Sequence, residues 1–210
     1  MFIVLDAIDG AGKGRQRIEI ASYLDLLGVK VESVEFPVHN AFYETVIHPA
    51  LQGEKKLNKS SWVLSYLLDK TMISDKIRPF VHNKKKFFIA DGYFTTTIAY
   101  QSYLMEQIEL DRLLELGVEF DIPVPDLAIF IDVDPETAMQ RKNKEEGHDE
   151  GLDMFEKSLS KQRKLRDTYT EMVEQNIYCD WEIVDGNGTV EEVKKQIIGI
   201  MGDHYEIENK

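Results

Sequence analysis

The run Asp9-Gly10-Ala11-Gly12-Lys13 combines the residue types needed to hold a polyphosphate. Small residues let backbone N–H groups close around phosphate oxygens without the clash that larger side chains bring. Lys13 adds one ammonium for the terminal phosphates, and a helix beginning there adds the partial positive charge of its N-terminus. The chemistry indicated is phosphoryl transfer, with Gly10, Ala11, Gly12, Lys13, Gly14, Arg15 and Gln16 as the polyphosphate-binding stretch. Two positions depart from the usual form of such a loop. Ala7 stands where a first Gly is common, and Gly14 stands where a Ser or Thr would offer its hydroxyl to magnesium. Arg15 reads either as a second phosphate contact or as a solvated first-turn arginine.

A loop of this kind needs a buried strand before it and a helix after it. The apolar run Phe2-Ile3-Val4-Leu5 supplies the strand, and a helix is expected from Lys13 to Leu27 with Gly28 as its stop. Val29 to Val34 alternates as a strand should and ends at Phe36-Pro37. Ser60 or Ser61 is placed to cap a long helix carrying Trp62, Tyr66, Leu67 and Ile73 as far as Pro79. Phe87 to Ala90 is a short buried strand ending at Asp91. Further on, Leu127 to Ile131 is a strand, Pro135 starts a helix, a long helix spans about Asp153 to Gln175, and Trp181 to Val184 is the last strand. Thr189-Val190-Glu191-Glu192 forms a capping box for a final helix ending near Met201. Alternation of this kind predicts an α/β fold, one doubly wound parallel sheet of five strands with helices on both faces. Its ligands belong at the strand C-terminal ends, where Asp9, Phe36, Asp91 and Asp132 fall.

The composition fits that fold and narrows the partners. With 210 residues, 43% hydrophobic and 30% charged, the chain is expected to form one domain over 1–210. No apolar run reaches the roughly 20 residues that span a bilayer, so no membrane partner is expected and the cytoplasm is the expected location. Cys179 is the only cysteine, which leaves no internal disulfide and no thiolate metal cluster. A net charge of −13 argues against a nucleic-acid polymer as partner. It does not exclude a small nucleotide, which is gripped locally. Lys84-Lys85-Lys86 reads as a solvated turn before a strand.

Taken in order, these segments resemble the thymidylate kinases, phosphate-loop enzymes that transfer a phosphoryl group from ATP to dTMP. The loop resembles the family's Asp-Gly-x-Gly-Lys, and Phe36-Pro37 its Phe-Pro. Tyr66-Leu67-Leu68-Asp69-Lys70 is similar to a helix whose aromatic stacks on thymine, with Lys70 in place of an Arg one turn later. Read without the resemblance, Tyr66 is a core aromatic. Asp91-Gly92-Tyr93 through Ala99-Tyr100-Gln101 is similar to Asp-Arg-Tyr followed by Ser and then Ala-Tyr-Gln. Pro123-Val124-Pro125-Asp126, Asp132-Val133-Asp134-Pro135-Glu136, Asp153-Met154-Phe155-Glu156 and Leu165-Arg166 with Tyr169 continue the match.

The resemblance implies a nucleoside monophosphate kinase with ATP as co-substrate, Mg2+ as cofactor, dTMP as acceptor and a homodimeric state. It implies catalytic roles for Asp9, Lys13, Arg15 and Arg141, with Arg141 also on ATP and beginning a lid over about 141–153. The acceptor side comprises Asp9, Phe36, Pro37, His39, Tyr66, Lys70, Tyr93, Thr96, Thr97, Tyr100, Gln101 and Phe155. Within it Thr97 and Gln101 face the base, and Tyr100 lies under the sugar and disfavours a 2′-hydroxyl. Asp9 and Asp91 are the implied magnesium-side carboxylates; Asp91 reads equally as a helix cap.

Three departures stand beside these matches. Gly92 replaces the Arg of Asp-Arg-Tyr, Val38 replaces an Arg that often follows Phe-Pro, and the lid offers Arg141, Lys142 and Lys144 with no second Arg. Arg15, His39 and Lys70 are the nearest cations to compensate, although His39 also reads as an ordinary loop histidine. Two other readings follow from the departures: a kinase for another deoxy or modified pyrimidine monophosphate, and a catalytically silent nucleotide-binding module. Lys13, Asp9, Tyr100 and Gln101 favour the enzyme.

Overall fold

The computed structural model describes residues 1–144 and 159–204. Its strands are β1 (Phe2–Asp6), β2 (Lys30–Glu35), β3 (Lys86–Asp91), β4 (Leu127–Asp132) and β5 (Trp181–Asp185). The α-helices among the described residues are α1 (Lys13–Leu26), α2 (His48–Leu51), α3 (Lys59–Thr71), α4 (Ser74–Ile77), α5 (Phe94–Ile98), α6 (Leu110–Glu119), α7 (Pro135–Lys144), α8 (Leu159–Glu174) and α9 (Val190–His204). The sheet order is β2-β3-β1-β4-β5, and every pairing is parallel. This is the doubly wound five-stranded sheet that the sequence predicts. The connections run to opposite sides of β1, and a crevice opens there at the strand C-terminal ends.

Burial explains which runs became central strands. Both faces of a parallel sheet are covered, so its inner strands must be apolar on both sides. β1 is buried at every residue, and β3 and β4 nearly so, whereas the edge strands β2 and β5 each leave several residues exposed. With a period of two, Phe2, Val4 and Asp6 share one face. On that face the Phe2 ring meets Tyr93 edge-on at 4.9 Å, and Asp6 meets Thr95, Thr96 and Tyr169. α1 buries Ile20 and Leu24 and packs against α9.

Some boundaries differ from expectation. Asn58, not Ser60 or Ser61, caps α3, its Oδ1 accepting from the Ser61 N–H at 2.8 Å. The helix also stops at Thr71 instead of running to Pro79. The Ser74 hydroxyl donates to the Lys70 carbonyl at 2.9 Å, the acceptor that the residue 74 N–H would take in an unbroken helix. A short α4 and a 3-10 turn, Arg78–Phe80, complete the distance. The Thr189 capping box forms as expected, with Thr189 N–H on Glu192 Oε2 at 2.7 Å and Glu192 N–H on Thr189 Oγ1 at 3.3 Å. The start of the helix expected from Asp153, most of the lid segment and Phe155 lie outside the described residues.

Candidate active site

The phosphate loop joins β1 to α1. Gly12 occupies the cap position at φ +90°, no side chain caps the helix, and no acidic residue lies in its first turn. The first N–H groups of α1 therefore face outward as donors for an anion. Gly10 also has a positive φ of 81°, and a Cβ there would stand 2.5 Å from the Ala138 carbonyl oxygen of α7. Only glycine fits beneath that helix.

Lys13 bends back so that its Nζ donates to the Ala7 carbonyl at 3.0 Å. Burial on its own lowers a lysine, but Asp91, Asp9, Asp6 and Glu35 surround Lys13 and together hold it above the ordinary lysine value. Asp6 is fully buried, and burial raises its pKa although Thr95 and Thr96 donate hydroxyl hydrogen bonds to it. Burial likewise pushes Asp91 up to about 6, against the pull of Lys13. Asp91 does not cap α5, whose cap position is Tyr93. Its Oδ2 instead lies 3.3 Å from where a Cβ on Gly14 would be, beside the place of the missing hydroxyl.

From this charged end a pocket runs between α3 and α5. Phe36, Pro37, Trp62, Tyr66 and Met105 form its apolar walls, and Thr96, Thr97, Tyr100 and Gln101 its polar side, with Asp9, Lys13 and Asp91 at one end. The Trp62 and Tyr66 rings stack at 5.9 Å and 14°. Gln101 is 1% exposed, and its Oε1 has no partner among the described residues, so the pocket offers a buried acceptor without a donor. Lys70 is buried as well, paired with Asp69 at 3.0 Å and lying 5.0 Å from the Phe36 ring centre and 5.2 Å from that of Tyr66. Burial holds its pKa below the ordinary lysine value, and Asp69 only partly offsets this.

Ten of the acceptor-side residues expected from sequence thus meet in one cavity: Asp9, Phe36, Pro37, Tyr66, Lys70, Tyr93, Thr96, Thr97, Tyr100 and Gln101. Four other expected residues are not brought to it. Arg15 is 64% exposed and paired with Glu19 at 2.7 Å, the arrangement of a solvated first-turn arginine. His39 is exposed and stacks on Tyr43 at 4.3 Å. Gln16 is buried and donates to the Val190 carbonyl at 2.9 Å. Arg141 forks onto the carbonyls of Gly186, Asn187 and Gly188 at 2.8, 2.9 and 3.0 Å. Arg141 therefore fixes the loop between β5 and α9, and Gln16 ties α1 to the first residue of α9. Asp132, at the end of β4, is taken up by Arg166 at 2.5 and 2.8 Å.

Sequence reasoning missed Trp62, Leu51 and Met105 as pocket residues, and it missed Gln162. Gln162 lies on the buried stripe of α8 with Leu165, Tyr169 and Met172, and a polar residue within such a stripe is the signal that could have found it.

Among the described residues no group of three or more His, Cys, Asp or Glu is arranged to hold a metal ion. Two carboxylates, Asp9 and Asp91, do line the cavity. Their hard oxygens suit magnesium, which commonly takes one or two protein carboxylates and completes its shell with phosphates and water.

Comparison with known proteins bears on this geometry. The family model for thymidylate kinase matches residues 5–197. A thymidylate kinase of Thermosipho africanus is 29% identical over 210 residues, covering 98% of this chain and all of the relative. A probable thymidylate kinase of Thermococcus kodakarensis is 28% identical, covering 96% of this chain and 97% of its own. A thymidylate kinase of Leptospira interrogans is 25% identical over 95% of this chain and 93% of its own.

Proposed function

The chain belongs to the thymidylate kinase family and phosphorylates dTMP to dTDP at the expense of ATP, and we propose that the cavity at the C-terminal end of β1 carries the reaction. An oxygen of the dTMP phosphate attacks the γ-phosphorus of ATP, the bond to the β,γ-bridging oxygen breaks, and ADP leaves. Such transfer depends on alignment and charge neutralisation. Lys13 and the first N–H groups of α1 hold the transferred phosphoryl group, and the loop between β5 and α9, fixed by Arg141, flanks the ATP side. Tyr66 stacks on the acceptor base, the Gln101 amide hydrogen-bonds its edge, and Tyr100 stands at the sugar. Asp9 and Asp91 would hold Mg2+, which supplies charge neutralisation at the bridging phosphates. Lys70 is the one buried ammonium on the acceptor wall among the described residues.

The observation that carries this reading is the meeting of a phosphate loop and a base-sized aromatic slot in one cavity, with an unpartnered amide oxygen inside the slot. Coupled ADP release from Mg-ATP, with a panel of deoxy- and ribonucleoside monophosphates, tests it. Turnover with dTMP that requires the acceptor and disappears in Lys13→Ala is expected. Nucleotide binding without turnover on any acceptor would overturn the catalytic assignment of this cavity.

We also propose a homodimer. Leu64, Leu68 and Met72 line one face of α3 and its end at 54, 45 and 58% exposure, an apolar stripe suited to the same stripe of a second copy. Sedimentation at micromolar concentration should show twice the chain mass, and a Leu68→Glu variant should show one. No helix among the described residues is long and apolar enough to cross a membrane, and the cytoplasm is the proposed location.

A further inference from the structure

Asp9 lies at the charged end of the cavity, and a residue outside the cavity holds it. Gln162 of α8 is 2% exposed and grips Asp9 with both ends of its amide. Its Oε1 accepts the Asp9 backbone N–H at 3.2 Å, and its Nε2 donates to Asp9 Oδ2 at 3.2 Å. The same Oδ2 accepts the Tyr100 hydroxyl at 2.9 Å. Among side chains a carboxamide is suited to this double contact, because it offers an acceptor and a donor on one planar group. The grip is also rigid, since Leu165, Tyr169 and Met172 bury the same stripe of α8 and the Tyr169 hydroxyl donates to Asp6 at 3.2 Å.

We propose that Gln162 is a positioning residue that sets sugar selectivity by locking Asp9 and, through it, the Tyr100 hydroxyl. The argument rests on the orientation of the acceptor given above. With the base against Tyr66 and Gln101 and the phosphate toward Lys13, the sugar lies between them beside Tyr100, whose hydroxyl reaches back to Asp9 at the charged end at 2.9 Å. A phenol free to swing makes room for a 2′-hydroxyl. One tied to Asp9, which Gln162 holds at both its carboxylate and its backbone N–H, does not.

The test compares kcat/KM for dTMP with kcat/KM for ribothymidine 5′-monophosphate in the wild type, Tyr100→Phe, Gln162→Met and Gln162→Glu. Met keeps the length of Gln and removes both hydrogen bonds; Glu keeps the shape and replaces the donor with a like charge beside Asp9. Both Gln162 variants and Tyr100→Phe should lower the deoxy-to-ribo ratio by about tenfold, the size expected for one lost, well-placed hydrogen bond. The Gln162→Met and Tyr100→Phe double variant should show no further fall, because the two act on one element. A residue with a purely structural role would change thermal stability and leave the ratio alone. An unchanged ratio in both Gln162 variants, while Tyr100→Phe loses it, overturns this inference and leaves the cavity assignment standing. A wild-type ratio near one, or an unchanged ratio in Tyr100→Phe, overturns the placement of the sugar and this inference with it.

Discussion

Two buried lysines line the same cavity, and their surroundings push them in opposite directions. Lys13 lies among Asp6, Asp9, Asp91 and Glu35, which outweigh its burial and hold its proton more firmly than in water. Lys70 has Asp69 as its near counter-charge and two aromatic rings beside it, and burial prevails. Burial penalises each ammonium, so the number of carboxylates within reach decides the sign. At the phosphate-loop end the protein has stored excess negative charge that an incoming cation or the Lys13 ammonium must balance. At the acceptor end it has stored a positive charge close to neutrality with its partner.

The comparison can be broken most severely at Lys13. Lys13→Ala removes the ammonium that offsets Asp91, Asp9, Asp6 and Glu35, and the turnover number should fall by about 10³ or more in coupled ADP release. A fall of less than tenfold would mean that another cation serves the transferred phosphoryl group.

At the other lysine the larger effect is on stability. Lys70→Met leaves the Asp69 carboxylate buried, with the Val38 N–H still donating to it at 2.9 Å. Removing one partner of a buried pair costs about 3 to 5 kcal/mol. Urea unfolding at pH 7 should show a loss of that order, and adding Asp69→Asn should recover most of it. If the double variant is no more stable than the single one, the cost lies in packing against Phe36 and Tyr66 rather than in charge.

Asp91 sharpens the comparison through pH. Its folded pKa is raised from 3.8 to about 6, so between those values the folded chain binds more protons than the unfolded one. Stability contributed by this group therefore falls as pH rises through that window and stays at the lower level above it. Asp91→Asn should stabilise the protein at pH 7 by roughly 3 kcal/mol, the equivalent of about two pKa units, and should give little gain at pH 4. Thermal melts of both chains at the two pH values would show it. Equal melting at pH 7 would mean that the attraction to Lys13 matches the burial cost.

These contrasts differ in how far the sequence reveals them. The phosphate loop is a contiguous stretch whose chemistry is written in order, from the apolar β1 to Gly12 and Lys13, and the inner strands β1, β3 and β4 stand out as short continuous apolar runs because both faces of the sheet are covered. The cap and the break of α3 were not legible. Asn58, Ser60 and Ser61 can all cap a helix, and the apolar pattern continues past Thr71 although the Ser74 hydroxyl diverts the Lys70 carbonyl. Gln16 and Arg141 have the right types for phosphate contact, and their side chains also reach backbone carbonyls far along the chain, which no local pattern announces. Gln162 is 153 residues from Asp9, and no local rule links the two. Side chains whose partners come from distant elements are decided by packing, which a single sequence does not display.

Gly92 lies between the two lysine environments and yields the smallest predicted effect. Its φ is +64°, and a Cβ there would stand 2.8 Å from Thr96 Oγ1. That hydroxyl already donates to Asp6 Oδ1 at 2.6 Å and accepts the Tyr93 N–H at 3.2 Å. Gly92→Ala must therefore strain the backbone or rotate Thr96 away from both partners, at a cost of about 1 to 2 kcal/mol. Asp6 keeps Thr95 and Tyr169, so the Lys13 end loosens without coming apart. The Lys70 and Asp69 pair belongs to α3 and feels Asp6 only through charge, after Asp69. The melting temperature should drop by a few degrees and the KM for dTMP should rise a few-fold, with the KM for ATP nearly unchanged. A rise confined to ATP would place Thr96 and Asp6 on the donor side and shift the boundary between the two ends of the cavity toward α3.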